Sequence, residues 1–188
     1  MKILIITGPP YSGKGTQCEI IEKQLGLKHI STGDRCRLEK KNETSIGLTM
    51  SAYEEKGELV PDEIMKALFG QILEENKNAS GILLDGYPRT SPQVADLLEL
   101  VTEKQMKIDQ VLSIEVAEEE LLKRAAERAK NSTRKDDQNI ETHIKRIRVF
   151  EEQTRPAIAK LKTQLHVDEI NGMGSIAEIT QRIQNKLR

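Results

Sequence analysis

The stretch Gly8-Pro9-Pro10-Tyr11-Ser12-Gly13-Lys14-Gly15-Thr16 stands between an apolar run and a segment with helical spacing. Residues 3–6 are only Ile and Leu, which is typical of a strand buried on both faces of a parallel sheet. Residues 15–25 repeat apolar side chains at helical intervals. A glycine-rich loop with a lysine, placed between a strand and a helix, predicts a P-loop. An ordinary glycine-rich turn is the plainer alternative, and the coincidence of strand, spacing, lysine and helix argues against it.

A P-loop binds phosphate through its backbone, because its N–H groups point inward and form an anion nest. The N-terminus of the following helix adds partial positive charge at the same place. Lys14 supplies a full positive charge for the β- and γ-phosphates. The motif departs from the general form after the lysine, where Gly15 replaces a Ser or Thr and Thr16 comes one residue later. Direct ligation of Mg²⁺ by that hydroxyl is therefore left open.

A carboxylate follows a second apolar strand, residues 81–84, at Asp85. A lone Asp at a strand end is often a turn former. In P-loop proteins, however, a carboxylate at this place faces the Mg²⁺ that accompanies ATP. We therefore predict that Asp85 contributes to a magnesium site, directly or through water.

Strand and helix patterns alternate along the chain, which predicts an α/β fold of the P-loop NTPase type with a parallel five-stranded sheet between helices. The predicted strands are residues 2–7, 28–30, 81–84, 111–116 and 167–170. Two or three helices are expected between Asp34 and Asn76, with breaks at Gly47 and at residues 57–61. Further helices are expected up to about residue 105 and over residues 118–129, 140–165 and 176–187. Residues 1–188 are expected to form a single domain.

Composition excludes several classes of protein. Hydrophobic residues make up 37% and charged residues 31% of the chain, an ordinary globular balance. The formal net charge of -1 gives no reason to expect nucleic acid as a partner. The apolar run at residues 3–6 is far too short for a membrane span, and no signal-peptide pattern opens the chain. The two cysteines, Cys18 and Cys36, can form neither a disulfide framework nor a four-cysteine zinc site, so we expect a cytoplasmic protein.

Several segments together resemble the adenylate kinase family of nucleoside monophosphate kinases. They are GPPYSGKGTQ, HISTGDRCR, GELVPDE, LLDGYPRT followed by Gln93, RKDD with ET after it, and a late Gly172. These segments cover nearly the whole chain in the family's order. The resemblance implies reversible, Mg²⁺-dependent transfer of the γ-phosphoryl group from ATP to AMP, giving two ADP. It also implies a monomer, a helical cap over AMP at about residues 31–60, and a short lid over ATP at about residues 128–138.

The resemblance also implies roles for individual residues. ATP would be bound by Gly13, Lys14, Gly15, Thr16, Arg124, Arg128 and Gly172, with the choice between the two arginines open. AMP would be bound by Thr32, Arg37, Glu58, Val60, Gly86, Arg89 and Gln93. Lys14, Arg89, Arg134 and Arg146 would act on the transferring phosphate, and Asp136 and Asp137 match the carboxylates at the base of the lid. Mg²⁺ is the expected cofactor. Zinc is not expected, because the short lid, with five residues between Arg128 and Arg134, offers no cysteine.

Arginines suit this chemistry, because the acceptor is a phosphate that is mostly dianionic at pH 7 and needs no general base. The task is to hold two anions in line and to neutralise the moving group. Arginine stays charged and binds phosphate through a bidentate fork. We expect His29, His143 and His166, which are scattered along the chain, to be structural or surface residues. Arg148 has no motif support and is expected on the surface.

Two residues differ from the family pattern: Tyr11 stands where a Gly is usual, and Cys36 where a Leu is usual. A bulky residue at positive φ would be an outlier. We therefore expect Tyr11 at negative φ, with its ring directed away from the phosphates and near the lid or the acceptor side. A distorted loop with weakened ATP binding is the competing hypothesis.

Three other kinds of protein share some of these features. A GTPase should carry Asn-Lys-x-Asp, and Asn76-Lys77 is followed by Asn78-Ala79 instead. A UMP/CMP kinase shares the fold and the arginines, although Thr32 and the spacing from Arg89 to Gln93 favour AMP. A catalytically inactive nucleotide-sensing module is disfavoured by the presence of Lys14, Arg37, Arg89 and Asp85.

Overall fold

The computed structural model describes residues 1–131 and 139–187, with the side chains of Glu54 and Asn131 excepted. Its sheet contains five parallel strands in the order β2-β3-β1-β4-β5. The strands are β1 Lys2–Thr7, β2 Lys28–Ser31, β3 Gly81–Asp85, β4 Lys107–Glu115 and β5 Val167–Asn171. The predicted fold class is confirmed, and each predicted strand is present. The largest difference is at β4, which begins four residues before the predicted start at residue 111.

Helices cover both faces of the sheet, because alternate residues of β1 enter two separate cores. Ile3 and Ile5 belong to a core with Phe69, while Leu4 and Ile6 belong to the other. All four β1 side chains are at most 1% exposed, which explains the unbroken apolar run. The helices are α1 Lys14–Leu25, α2 Thr32–Lys41, α3 Ser45–Glu55, α4 Asp62–Glu75, α5 Ser91–Glu103, α6 Glu118–Asn131, α7 Ile140–Val149, α8 Arg155–Gln164 and α9 Ile176–Gln184.

One predicted helix break is wrong. Gly47 lies inside α3, and the chain turns earlier, at residues 42–44. The physical reason for a glycine here is close packing: a Cβ on Gly47 would lie 2.1 Å from the carbonyl carbon of Glu39 in α2. Gly47 therefore allows two helix backbones to touch. The second predicted break is confirmed, since residues 57–61 separate α3 from α4.

The long predicted helix at residues 140–165 is present as one rod with a local change of winding. Helix α7 passes through a π-helical segment, Phe150–Thr154, directly into α8. Such π-helical turns often occur at functional sites, and Phe150 and Thr154 line a cavity beside the P-loop. Within the described residues, no helix combines the length and the apolar character needed to cross a membrane.

The topology places the ends of β1, β2 and β3 side by side. In the strand register, Asp85 lies opposite Ile6 of β1 on one side and Ser31 of β2 on the other. The strand order also reverses at β1, which has β3 and β4 as neighbours. Ligands of open α/β sheets bind at such a switch point, outside the carboxyl ends of the strands.

Candidate active site

The loop between β1 and α1 has the backbone shape of an anion cradle. Gly13 adopts a left-handed conformation with φ 89° directly before α1, and no side chain caps the helix there. The first N–H groups of α1 are thus not used by a capping side chain. Gly8, where the loop begins, has φ 141°, and a Cβ on it would lie 2.5 Å from the backbone oxygen of Ile114 in β4. The loop therefore sits tightly against the sheet.

Lys14 is folded back over this cradle. Its Nζ donates hydrogen bonds to the carbonyl oxygens of Gly8 at 2.7 Å and Pro9 at 2.8 Å. Burial lowers the pKa of Lys14 to about 8, against the opposing effect of the Asp85 carboxylate. Lys14 is therefore a cation whose charge is poorly compensated until an anion arrives.

Tyr11 contradicts the prediction of negative φ, since its φ is 66°. The loop therefore has a left-handed backbone at the position where the family usually has glycine. The Tyr11 side chain packs against helices α6 and α7. The Tyr11 hydroxyl forms a short hydrogen bond with Nδ1 of His143, which is fully buried, and the two rings meet edge to face. The Arg128 guanidinium lies 5.9 Å from the Tyr11 ring centroid. The ring contacts α6 and α7, and Tyr11 also lines the cleft that contains Lys14.

A second group of side chains surrounds a slot next to Arg89. The Thr32 hydroxyl donates to the backbone oxygen of Gly86 at 2.9 Å, and Arg89 Nε donates to the same oxygen at 2.6 Å. Gly86 has φ 83°, and a Cβ there would lie 2.7 Å from Thr32 Oγ1. These contacts explain why the bend after β3 requires glycine. The slot is lined by Thr32, Gly33, Cys36, Leu59, Val60, Met65, Arg89 and Gln93.

The side-chain amide of Gln93 is held in one orientation. Its Oε1 accepts from the backbone N–H of Arg89 at 2.7 Å, and its Nε2 donates to Asp62 Oδ1 at 2.8 Å. Asp62 also accepts from the hydroxyl of Thr90, the N-cap residue of α5. Asp62, the first residue of α4, was not among the residues predicted for the site. Its place in the GELVPDE segment was the available signal.

The remaining predicted acceptor-side residues, Arg37 and Glu58, line a larger cleft. Arg37 pairs with Asp34 one turn earlier in α2, and Glu58 pairs with Lys145 of α7 at 2.7 Å. The Glu58 contact joins the segment after α3 to a helix from the other end of the chain.

Arg124 and Arg128, one turn apart on α6, lie in different environments. Arg124 donates to the backbone oxygens of Ser12 at 3.3 Å and Gly172 at 3.0 Å, and so ties the P-loop to the segment after β5. Arg128 lines the cleft. Gly172 is a close-packing position, because a Cβ there would lie 2.5 Å from Val116 Cγ2.

The cleft unites the two groups of residues. It has a volume of about 550 Å³ and runs from the P-loop to α2. Gly13, Gly15 and Thr16 lie on its wall with Lys14, Asp85, Arg128 and Arg146. An adjoining cavity of about 140 Å³ is lined by Lys14, Arg89 and Arg146 together. Arg134, Asp136 and Asp137 lie outside the described residues.

These features define a class: a P-loop NTPase fold whose phosphate cradle faces a second, arginine-lined slot across one cleft. A family model described as adenylate kinase matches residues 6–166 of the chain. The chain belongs to the adenylate kinase family.

Curated relatives agree over nearly the full length. The protein named adenylate kinase from Parabacteroides distasonis is 44% identical over 181 residues, covering 96% of this chain and 95% of its own. That of Bacteroides thetaiotaomicron is 40% identical, covering 92% of this chain and 91% of its own. That of Thermobifida fusca is 39% identical, covering 98% of this chain and 97% of its own.

Proposed function

We propose that this chain catalyses the reversible, Mg²⁺-dependent transfer of the γ-phosphoryl group of ATP to AMP, giving two ADP. The observation that carries the proposal is the cavity lined jointly by Lys14 of the P-loop and Arg89 of the acceptor slot. Two nucleotides bound on either side would bring their phosphates together between these cations. Family membership and the names of the relatives support the same reaction.

The chain's residues act by positioning and by charge. Gly13, Gly15 and Thr16 bind the ATP phosphates through the cradle, and Lys14 neutralises them. Arg89 and Arg146 meet the transferring group, with Arg128 at the donor side. A dianionic acceptor oxygen attacks without a base, so preorganised cations supply the catalysis. Arg124 positions the P-loop, because it donates to the backbone oxygen of Ser12. The cap at residues 31–60 and the lid at residues 128–138, which carries Arg134, exclude water by closing.

Asp85 has the chemistry to hold Mg²⁺, because its carboxylate lies at the carboxyl end of β3 on the wall of the cleft, beside Lys14. Mg²⁺ held there would supply positive charge against the phosphates. We also propose that the protein is a cytoplasmic monomer without resident zinc, as the family resemblance implies. It should bind neither nucleic acid nor membrane, in keeping with its net charge of -1.

Adenine is the preferred acceptor base because of Gln93. Because Oε1 and Nε2 of Gln93 each make one hydrogen bond within the protein, the amide has one acceptor site and one donor hydrogen left for a ligand. This pair complements the donor and acceptor edge of adenine. A site built for such bonds rejects a base that leaves them unmade.

A coupled assay with AMP, CMP, UMP and GMP as acceptors tests the function. We expect kcat/KM for AMP to exceed that for CMP and UMP by at least about tenfold, or ~1.4 kcal/mol. Comparable values for a pyrimidine would assign the chain to UMP/CMP kinases. ADP formation no higher than that of a Lys14→Ala control would refute phosphoryl transfer.

A pair of arginine variants tests the site. Arg89→Ala should lower kcat by a hundredfold or more, about 3 kcal/mol, because one preorganised donor to a reacting anion is lost. Arg148→Ala is the matched control: this exposed α7 residue should cost less than about 0.5 kcal/mol in activity or stability. Equal losses would place the site elsewhere.

A further inference from the structure

Three side chains with metal-binding atoms converge from separate elements where Asp85 lines the cleft. They are Cys18 of α1, His29 of β2 and Asp85 at the end of β3. The sulfur, an imidazole nitrogen and a carboxylate oxygen all lie within 4.8 Å of one another. Of these three residues, only Asp85 was predicted from the sequence to contribute to a metal site.

The imidazole is poised for an additional partner. Nε2 of His29 is buried and makes no hydrogen bond within the described structure. It lies 3.7 Å from Asp85 Oδ2, an ion-pair contact that is too long for a hydrogen bond. A buried ring nitrogen that makes no hydrogen bond is destabilising, so an ion bound by both side chains would stabilise it.

The donor set indicates which cation fits. One sulfur, one nitrogen and one oxygen are the ligands of Zn²⁺ and similar thiophilic divalent ions, whereas Mg²⁺ and Ca²⁺ prefer oxygen alone. Bonds of about 2.0–2.3 Å in a tetrahedron separate ligand atoms by roughly 3.3–3.8 Å. The 3.7 Å between His29 and Asp85 already meets this requirement. Since no pair of the three ligand atoms is more than 4.8 Å apart, the distances to the sulfur need a contraction of no more than about 1 Å.

The position also provides access and an open coordination site. His29 and Asp85 line the 550 Å³ cleft, while Cys18 is fully buried behind them. An ion entering from the cleft would meet the Asp85 carboxylate first and then the buried nitrogen and sulfur. Burial raises the pKa of the Cys18 thiol, so the thiol is protonated without metal.

We propose that Cys18, His29 and Asp85 form a binding site for a thiophilic divalent cation of the Zn²⁺ class, and that its occupancy inhibits the enzyme. Binding forms a metal–sulfur bond and breaks the S–H bond of Cys18, and the proton passes to solvent. A water or a phosphate oxygen takes the fourth position. Asp85 is then no longer available to Mg²⁺. This inhibitory consequence rests on the proposed function, whereas binding itself does not. The ion binds to the protein after it has folded, whereas a structural zinc is needed for folding.

Cobalt spectroscopy tests binding without any assay of activity. Co²⁺ is added to the purified, metal-free full chain, and the near-ultraviolet band of cobalt–thiolate charge transfer is followed. We expect one equivalent to bind with this band in the wild type and in Cys36→Ala, the matched cysteine control. The band should be absent in Cys18→Ser and in Cys18→Ala. A band that persists in both Cys18 variants, or no band in the wild type, would overturn the site and leave a His29–Asp85 ion pair as the alternative.

Inhibition is measured separately, at fixed ATP, AMP and Mg²⁺. Cys18→Ser should keep the Mg²⁺-dependent activity, since Cys18 does not line the cleft, the adjoining cavity or the slot. It should need at least tenfold more Zn²⁺ for half inhibition than the wild type. Equal sensitivity to Zn²⁺ would overturn the inhibitory role. Because zinc–nucleotide complexes affect all variants alike, the comparison isolates the protein site. Absence of activity in every sample, with the cobalt band intact, would refute the proposed function and leave the binding site standing.

Discussion

At the scale of the residue, Tyr11 has the most unusual backbone in the phosphate cradle. A non-glycine residue in the left-handed region costs roughly 1–2 kcal/mol. Contacts of the side chain offset that cost, among them the hydrogen bond to His143, the Arg146 guanidinium at 3.5 Å from the hydroxyl, and the Arg128 guanidinium near the ring. Tyr11 thus links the P-loop to helices α6 and α7.

We predict that Tyr11→Phe lowers the free energy of unfolding by about 1–3 kcal/mol, because the ring and the backbone strain stay while the buried hydroxyl contact is lost. Urea denaturation of the free enzyme measures the change. Tyr53→Phe, at a half-buried tyrosine of α3, is the control and should change stability by less than about 0.5 kcal/mol. Identical stability of Tyr11→Phe and the wild type would show that the hydroxyl contact does not stabilise the loop.

Lys14 makes the cradle sensitive to pH. Its pKa is lowered to about 8 in the free protein from about 10.4 in an unfolded chain. Between these values the unfolded chain binds more protons, so this group makes stability rise with pH over that window. Bound nucleotide phosphates should raise the pKa of Lys14 again, because they favour the charged ammonium.

We therefore predict that ATP binding at pH 8 takes up about half a proton per site, since about half of the Lys14 side chains are neutral beforehand. Calorimetric titrations in two buffers with different ionisation enthalpies measure the uptake. Lys14→Arg keeps a charge that does not titrate and should reduce the uptake to near zero. The same uptake in this variant would assign the proton to another group.

At the scale of the element, the cap depends on the contact between α2 and α3. Gly47 brings the α3 backbone against Glu39 and Lys40 of α2, at distances that no side chain could occupy. Helix α2 carries Thr32 and Arg37, two of the proposed AMP ligands. Displacement of α3 would therefore reach the acceptor site through α2.

We predict that Gly47→Ala destabilises the protein by about 1–3 kcal/mol through overpacking and raises KM for AMP more than KM for ATP. Gly70→Ala is the matched control, because Gly70 lies inside α4 with no atom within 4 Å of an added Cβ. It should stabilise the protein by about 0.5–1 kcal/mol. Thermal unfolding and steady-state kinetics report both effects. Equal behaviour of the two variants would show that the α2–α3 contact is loose.

At the scale of the whole molecule, residues proposed to bind ATP and residues proposed to bind AMP line one cleft. Lys14 follows β1, while Arg37 belongs to the helix that follows β2. The parallel sheet brings them together, because all its strands end at the same edge. The two nucleotides should therefore stabilise the fold through different residues.

We predict that ATP and AMP each stabilise the free enzyme by about 2.7 kcal/mol at a concentration of 100 times Kd. Lys14→Ala should lose most of the effect of ATP and keep that of AMP, and Arg37→Ala should show the reverse. Thermal shift measurements with each nucleotide alone separate the two. Loss of both effects in either variant would mean that the sites are not independent.

The sequence by itself determined the P-loop, the parallel sheet and the family, because each is written in local patterns: the apolar run of residues 3–6, the glycine-rich loop, and the motifs in their order. Tertiary structure alone decided the φ of Tyr11, the role of Gly47, the hold of Asp62 on Gln93, and the meeting of Cys18, His29 and Asp85. The physical reason is how far apart in the sequence the interacting residues lie. A strand or a phosphate loop depends on neighbours within a few residues, whereas these four features depend on backbones or side chains brought together from different elements, up to 132 positions apart for Tyr11 and His143.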